Sequence, residues 1–177
     1  MKKHIATFIG GGFLGFVAGA GLMLVLFPFF FPPAEVNEKV AVASGGGAAV
    51  LLAETAFRTD SPGQDAGHWG RGGIKIYRDG GGDILVELQA DFEVGPGPNF
   101  WLYLNAKGDI DTEDDFYADD ARIKAAKIKS FTGSQVYQIA AADYDKTKAI
   151  TIWCETFGQY IASANIPPQI SGDSDSI

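Results

Sequence analysis

The chain is poor in the residues that most often carry chemistry. It has one cysteine, Cys154, and two histidines, His4 and His68. A lone cysteine closes no intramolecular disulfide, so no disulfide framework holds the fold. One thiol and two imidazoles fall short of the about three or four N or S ligands that a zinc site takes. Basic residues are scarce as well: 14 Lys and Arg stand against 22 Asp and Glu, for a net charge of −8. Setting aside Lys2 and Lys3, which precede an apolar run, twelve basic residues face 22 acidic ones. A surface this acidic repels nucleic acid phosphates and anionic headgroups, which argues against nucleic acid as a partner. It suits cationic partners or divalent cations. Three catalytic templates are also missing: Gly-x-Ser-x-Gly, a phosphate-cradling glycine loop before a helix, and His-Glu-x-x-His. A Ser-His-Asp triad would have only His68 to draw on, so hydrolase chemistry is not expected.

What is present begins with an uncharged stretch, Ile5 to Phe27. As a helix its 23 residues reach roughly 35 Å, enough to cross a hydrocarbon core of about 30 Å. Lys2, Lys3 and His4 precede it, and the positive-inside rule leaves that end in the cytoplasm. Pro28, Pro32 and Pro33 are expected to end the helix, because proline cannot continue it. The alternative is a cleaved signal peptide. Ala41-Val42-Ala43 has the small-x-small form of a cleavage site, but it lies well beyond the run, and the run exceeds an ordinary h-region. No cysteine lies near the helix end, which excludes a bacterial lipoprotein. Gly11, Gly15 and Gly19 recur every four residues on one helix face, a spacing that lets two membrane helices approach closely. Glycine is also simply common in such helices.

Residues 32–49 read as a flexible linker, with Gly45-Gly46-Gly47 at its centre, and residues 169–177 as a disordered tail. Between them, residues 50–168 read as β structure. Ile74-Lys75-Ile76-Tyr77-Arg78 alternates apolar and polar, Asp79 to Asp83 supplies a glycine-rich turn, and Ile84 to Leu88 resumes a strand. Phe100 to Leu104 is wholly apolar and aromatic, as a buried central strand is. Val136 to Ile139, Ala149 to Cys154 and Gln159 to Ala162 read as further strands, and Ala118 to Lys129 as one helical turn or a short strand. Strands joined by short turns, with no helical crossover, predict an all-β antiparallel sandwich behind one transmembrane helix.

Three places invite chemistry. Ile150, Ile152 and Cys154 share one strand face. If that face is the core, Cys154 is a small buried hydrophobe; otherwise it is a candidate redox thiol or metal ligand. His68-Trp69-Gly70 sits in a glycine-rich loop, where the imidazole either pins the loop or ligates a cofactor such as haem. The run from Asp109 to Asp120 places Asp109, Asp111, Glu113 and Asp120 at positions 1, 3, 5 and 12 of a calcium-type loop. Asp114 stands where that loop wants glycine, so a solvated acidic loop is the rival reading.

Four stretches, in order, resemble the DM-thirteen family, whose domains accompany DOMON domains in animal Skeletor-type proteins and stand alone in bacterial envelope proteins. They are His68 to Ile76; Gly97-Pro98 before Phe100 to Leu104; Gly133-x-Gln135-x-Tyr137-x-Ile139; and Ile152-Trp153-Cys154-Glu155-x-Phe157 followed by Ala164. The resemblance spans about Phe57 to Ile166. It implies a β sandwich and an electron-transfer role centred on Cys154, as a bare thiol or a haem ligand, with His68 as a further candidate. The expectation is therefore an inner-membrane protein, residues 1–4 cytoplasmic, residues 5–31 spanning, and the domain in the periplasm or outside the cell. Its rivals are a non-catalytic accessory subunit of a larger membrane complex, respiratory or photosynthetic, docked through Gly11, Gly15 and Gly19, and a calcium-dependent binding module. The cofactor alternatives are haem, calcium or none.

Overall fold

A computed structural model describes residues 2–41 and 49–168. Ala41-Val42-Ala43 as a unit, the Gly45 to Gly47 run and the 169–177 tail lie outside the described residues. Helix α1 covers Lys2–Phe30. It continues through Pro28, contrary to the expectation that this proline would stop it. Pro28 sits in the last turn and costs only the one bond its missing N–H would have made to the turn before. The amide of Phe31 still donates to the Phe27 carbonyl at 2.9 Å. Within α1, Gly10–Phe30 is long and apolar enough to cross a membrane, a test that a signal sequence also passes.

The rest is all-β. One sheet holds β1 (Val50–Ala56), β3 (Gly73–Arg78), β4 (Ile84–Leu88) and β8 (Gln135–Ile139), in the order β1-β3-β4-β8. The other runs β10-β9-β6-β7, from Gln159–Asn165, Ala149–Cys154, Phe100–Asn105 and Ile123–Lys127. A two-stranded ribbon pairs β2 (Gly70–Arg71) with β5 (Glu93–Val94). Every pairing is antiparallel. The β3–β4 hairpin turns where expected. The Asp79 carboxylate accepts the Gly81 and Asp83 amides at 2.9 Å, and Gly82 takes φ 93°, which its missing Cβ permits.

The two sheets close on one core. Ile74, Ile76, Ile84, Val86 and Leu88 come from the first sheet, and Leu102, Leu104, Ile150 and Ile152 from the second, all buried. Each such side chain contributes roughly 1.5–3 kcal/mol by leaving water. The second sheet is covered on its outer face too. There Tyr103, Trp153 and Tyr160 meet Ile110 and Phe116, the latter carried by the short helix α2 (Glu113–Tyr117). A strand buried on both faces loses its alternation, which is why all six residues of β9 are buried.

The start of the expected linker is not a free tether. The Glu38 carboxylate accepts the Val136 amide at 2.9 Å and pairs with Lys129 at 2.5 Å, and the Glu38 amide donates to the Ser134 carbonyl. The Lys129 contact holds the Glu38 carboxyl below its ordinary range. This stretch therefore lies along β8.

Candidate functional site

Cys154 closes β9 and points into the core with Ile150 and Ile152. It is 1% exposed. Its strand partners are Phe100 on β6 and Gln159 on β10. Burial pushes the thiol above its ordinary value. The nearby backbone of Phe157, Thr156 and Asn99 opposes that shift in part. These residues come from the chain turning away after β9 and from the loop entering β6.

His68 approaches from the 58–69 loop. Asp65 organises that loop: its Oδ1 accepts the Gly67 and His68 amides at 2.7 and 2.8 Å, and its Oδ2 lies 3.0 Å from His68 Nδ1. The His68 hydrogen bond, reinforced by the two amides, lowers the Asp65 pKa to about 2. An ionised carboxylate only accepts, so Nδ1 carries the proton, and Nε2 has no hydrogen-bond partner among the described residues. The loop-pinning reading of His68 is the one these contacts express. One nitrogen pins the loop and the other is free.

Cys154 and His68 line one pocket of about 190 Å³. Its remaining wall is Gly67, Pro96, Gly97, Pro98, Phe100 and Phe157 from the domain, and Val25 and Phe29 from α1. The Gly95 to Pro98 loop is packed hard. A Cβ on Gly97 would stand 2.3 Å from the Phe100 ring, and one on Gly95 would stand 2.9 Å from the Gly67 carbonyl. That is the physical content of the Gly-Pro stretch seen in the sequence. The Gly-x-Gln-x-Tyr stretch is likewise structural. Gly133 takes φ 85° beneath the Val36 carbonyl, and the buried Gln135 carboxamide accepts from the Lys129 and Ser130 amides and from the Tyr137 hydroxyl.

A haem on Cys154 does not fit these residues. The pocket is smaller than the roughly 300–1,000 Å³ of sites that enclose drug-sized ligands, and its Gly97 wall is packed against the Phe100 ring. Asp109 and Asp111 both face Arg58 Nη1, at 3.7 and 2.9 Å, so a side-chain cation already sits between them. Asp109 also accepts from Asn165 at 2.7 Å, and Glu113 accepts the Tyr160 amide at 3.1 Å from inside α2. Asp120 is exposed. Among the described residues no three His, Cys, Asp or Glu side chains gather as metal ligands. The run is also not a simple solvated loop. It contains α2, capped by the Thr112 hydroxyl on the Asp115 amide, and the buried Asp119, which accepts from Asn105 at 3.1 Å and the Ala106 amide at 2.9 Å. Gly11, Gly15 and Gly19 lie exposed along α1, with open space around each.

The sequence reading missed the aromatic face behind Cys154. Trp153 stacks on Phe116 at 3.9 Å, and Tyr103 and Tyr117 meet these rings edge-on. Arg122 lies over Phe116 at 4.8 Å. The Tyr103 hydroxyl donates to Glu155, which Lys124 also holds at 3.0 Å. Burial, then Glu155, pushes the Tyr103 hydroxyl up. Glu155 stays below the usual carboxylate range because these two donors outweigh its burial. The available signal was Trp101, Tyr103 and Trp153 alternating with core residues, which marks a second covered face.

A closed antiparallel sandwich with one buried thiol at the end of a central strand, preceded by an apolar helix, defines the class. Residues 64–166 match the family model described as Electron transfer DM13, and the chain belongs to that family. No curated protein and no solved structure matches the chain.

Proposed function

We propose that this protein is a membrane-anchored electron-transfer module, its domain on the non-cytoplasmic side, with Cys154 as the redox centre and His68 beside it. The observation that carries the reading is the shared pocket. The domain's single thiol and single imidazole come from opposite ends of the chain's β region and meet in one cavity. Family membership supports the electron-transfer part. The apolar length of Gly10–Phe30 and the two lysines before it support an uncleaved anchor with its start in the cytoplasm. An external one-electron acceptor would take the electron, the thiol would become a neutral thiyl radical, and the imidazole lining the same pocket is a suitable acceptor for the released proton.

The test is protein-film voltammetry on the full-length protein in lipid nanodiscs. A reversible wave that vanishes in Cys154→Ser, with the far-ultraviolet spectrum retained, is the expected result. Identical traces for the two proteins would remove the redox centre. They would leave the second reading, a non-catalytic accessory subunit whose α1 docks on another membrane helix. The observation favouring that reading is the open Gly11, Gly15 and Gly19 stripe together with the 1% exposure of Cys154.

A further inference from the structure

A second cavity of about 530 Å³ opens beside the Cys154 pocket. One wall is α1, through Ala20, Met23, Leu24 and Phe27; the other is the domain, through Gly97, Pro98 and Phe131. Its lining carries no charged side chain. Gly97 and Pro98 belong to both cavities, so one dipeptide separates an apolar cleft on the membrane helix from the pocket of Cys154 and His68. A ligand reaching from one to the other needs a long apolar part and a small polar end. The polar end would meet His68 Nε2. With Asp65 holding the proton on Nδ1, the neutral imidazole accepts an O–H at Nε2, and the imidazolium donates from Nε2 to a carbonyl.

We infer that this junction binds an isoprenoid quinone and its quinol. The prenyl chain would lie in the cleft along Ala20 to Phe27, and the ring would rest against Gly97-Pro98 with one ring oxygen on His68. The chemistry matches at each point. The cleft volume falls within the roughly 300–1,000 Å³ range of small-molecule sites, and its lining is apolar. The inner pocket takes a single six-membered ring where it does not take a macrocycle. A group that alternates between acceptor and donor suits a ligand that alternates between quinol and quinone. A bare acyl chain would fill the cleft but leave Nε2 unpaired. The inference rests on the electron-transfer reading above for its biological sense, and on the two cavities for its geometry.

The probe is decyl-ubiquinone, titrated into full-length protein in phosphatidylcholine nanodiscs. The readout is quenching of Trp69, kept as the sole tryptophan in a Trp101→Phe, Trp153→Phe background shown to remain folded by circular dichroism. Saturable quenching is expected, weakened at least tenfold by His68→Ala and abolished by Leu24→Trp read through ring-induced shifts of labelled His68 instead of fluorescence. Decanol should not compete. Quenching that rises linearly without saturation, or that decanol displaces as well as the quinone does, would overturn the inference and leave the cleft to lipid chains. The voltammetric wave of Cys154 is recorded without quinone, so loss of that wave and loss of quinone binding are separate results.

Discussion

Burial and hydrogen bonding pull the Cys154 thiol in opposite directions. Burial dominates and raises its pKa, while the nearby backbone of Phe157, Thr156 and Asn99 recovers part of the difference. Reaction with a thiol reagent requires the thiolate. Cys154 in the folded protein is therefore expected to react more slowly than in denaturant at pH 8, with a rate still climbing above the pH where an ordinary thiol levels off. A pH profile of iodoacetamide labelling checks this. A folded profile that levels off below that of the denatured chain would contradict it. Asp65 moves the other way. Its pKa falls from the ordinary carboxylate range to about 2, so the ordering it gives the loop is present above its unfolded pKa and lost as pH drops from about 4 towards 2. The amide resonances of Gly67 and His68 should shift together in that window, and Asp65→Asn should remove the transition.

At the scale of elements, β9 concentrates the stability. Ile152 is fully buried and paired with Leu102 and Ala162 on either side. Ile152→Ala is expected to cost about 2–5 kcal/mol by urea denaturation, the usual range for a truncation that leaves a core cavity. Gly133→Ala should cost about 1–3 kcal/mol although it adds only a methyl group. Its φ of 85° disfavours any side chain, and the new Cβ would lie 2.2 Å from the Val36 carbonyl. A neutral result would mean that residues 35–38 do not lie where the structure puts them. These elements also show what the sequence could disclose. Strands β3, β4, β6 and β9 were legible because alternation, an Asp-Gly turn and an aromatic run are local signals. Strand β1 was not read: Val50–Ala56 precedes any turn signal, and its partner β3 lies across a long loop. Helix α2 hid inside an acidic run whose charges pointed to solvent or calcium. Its reason to exist is Phe116, which needs Trp153 to stack on, and no local pattern joins residues that far apart. Cys154 was legible as a core-facing residue, but its meeting with His68 depends on the whole sandwich.

At the scale of the molecule, the helix and the domain share walls. The second half of α1 and the residues just after it, from Ala20 to Phe31, supply one wall of both cavities. Pro28 is buried at this junction while the residues around it remain open. Helix α1 thus does more than precede the domain. Its last turns complete the pocket in which Cys154 lies, and the docked Glu38 fixes the distance between helix end and β8. Removing a wall without disturbing the core should change access to the thiol but not the fold. Phe29 is 56% exposed, so Phe29→Ala is expected to leave the urea midpoint within experimental error. The same change should speed labelling of Cys154 in nanodiscs several-fold at constant pH. If the rate stays fixed while the midpoint also stays fixed, the sulfur is reached by some path that α1 does not line. The helix would then have no part in access to the thiol.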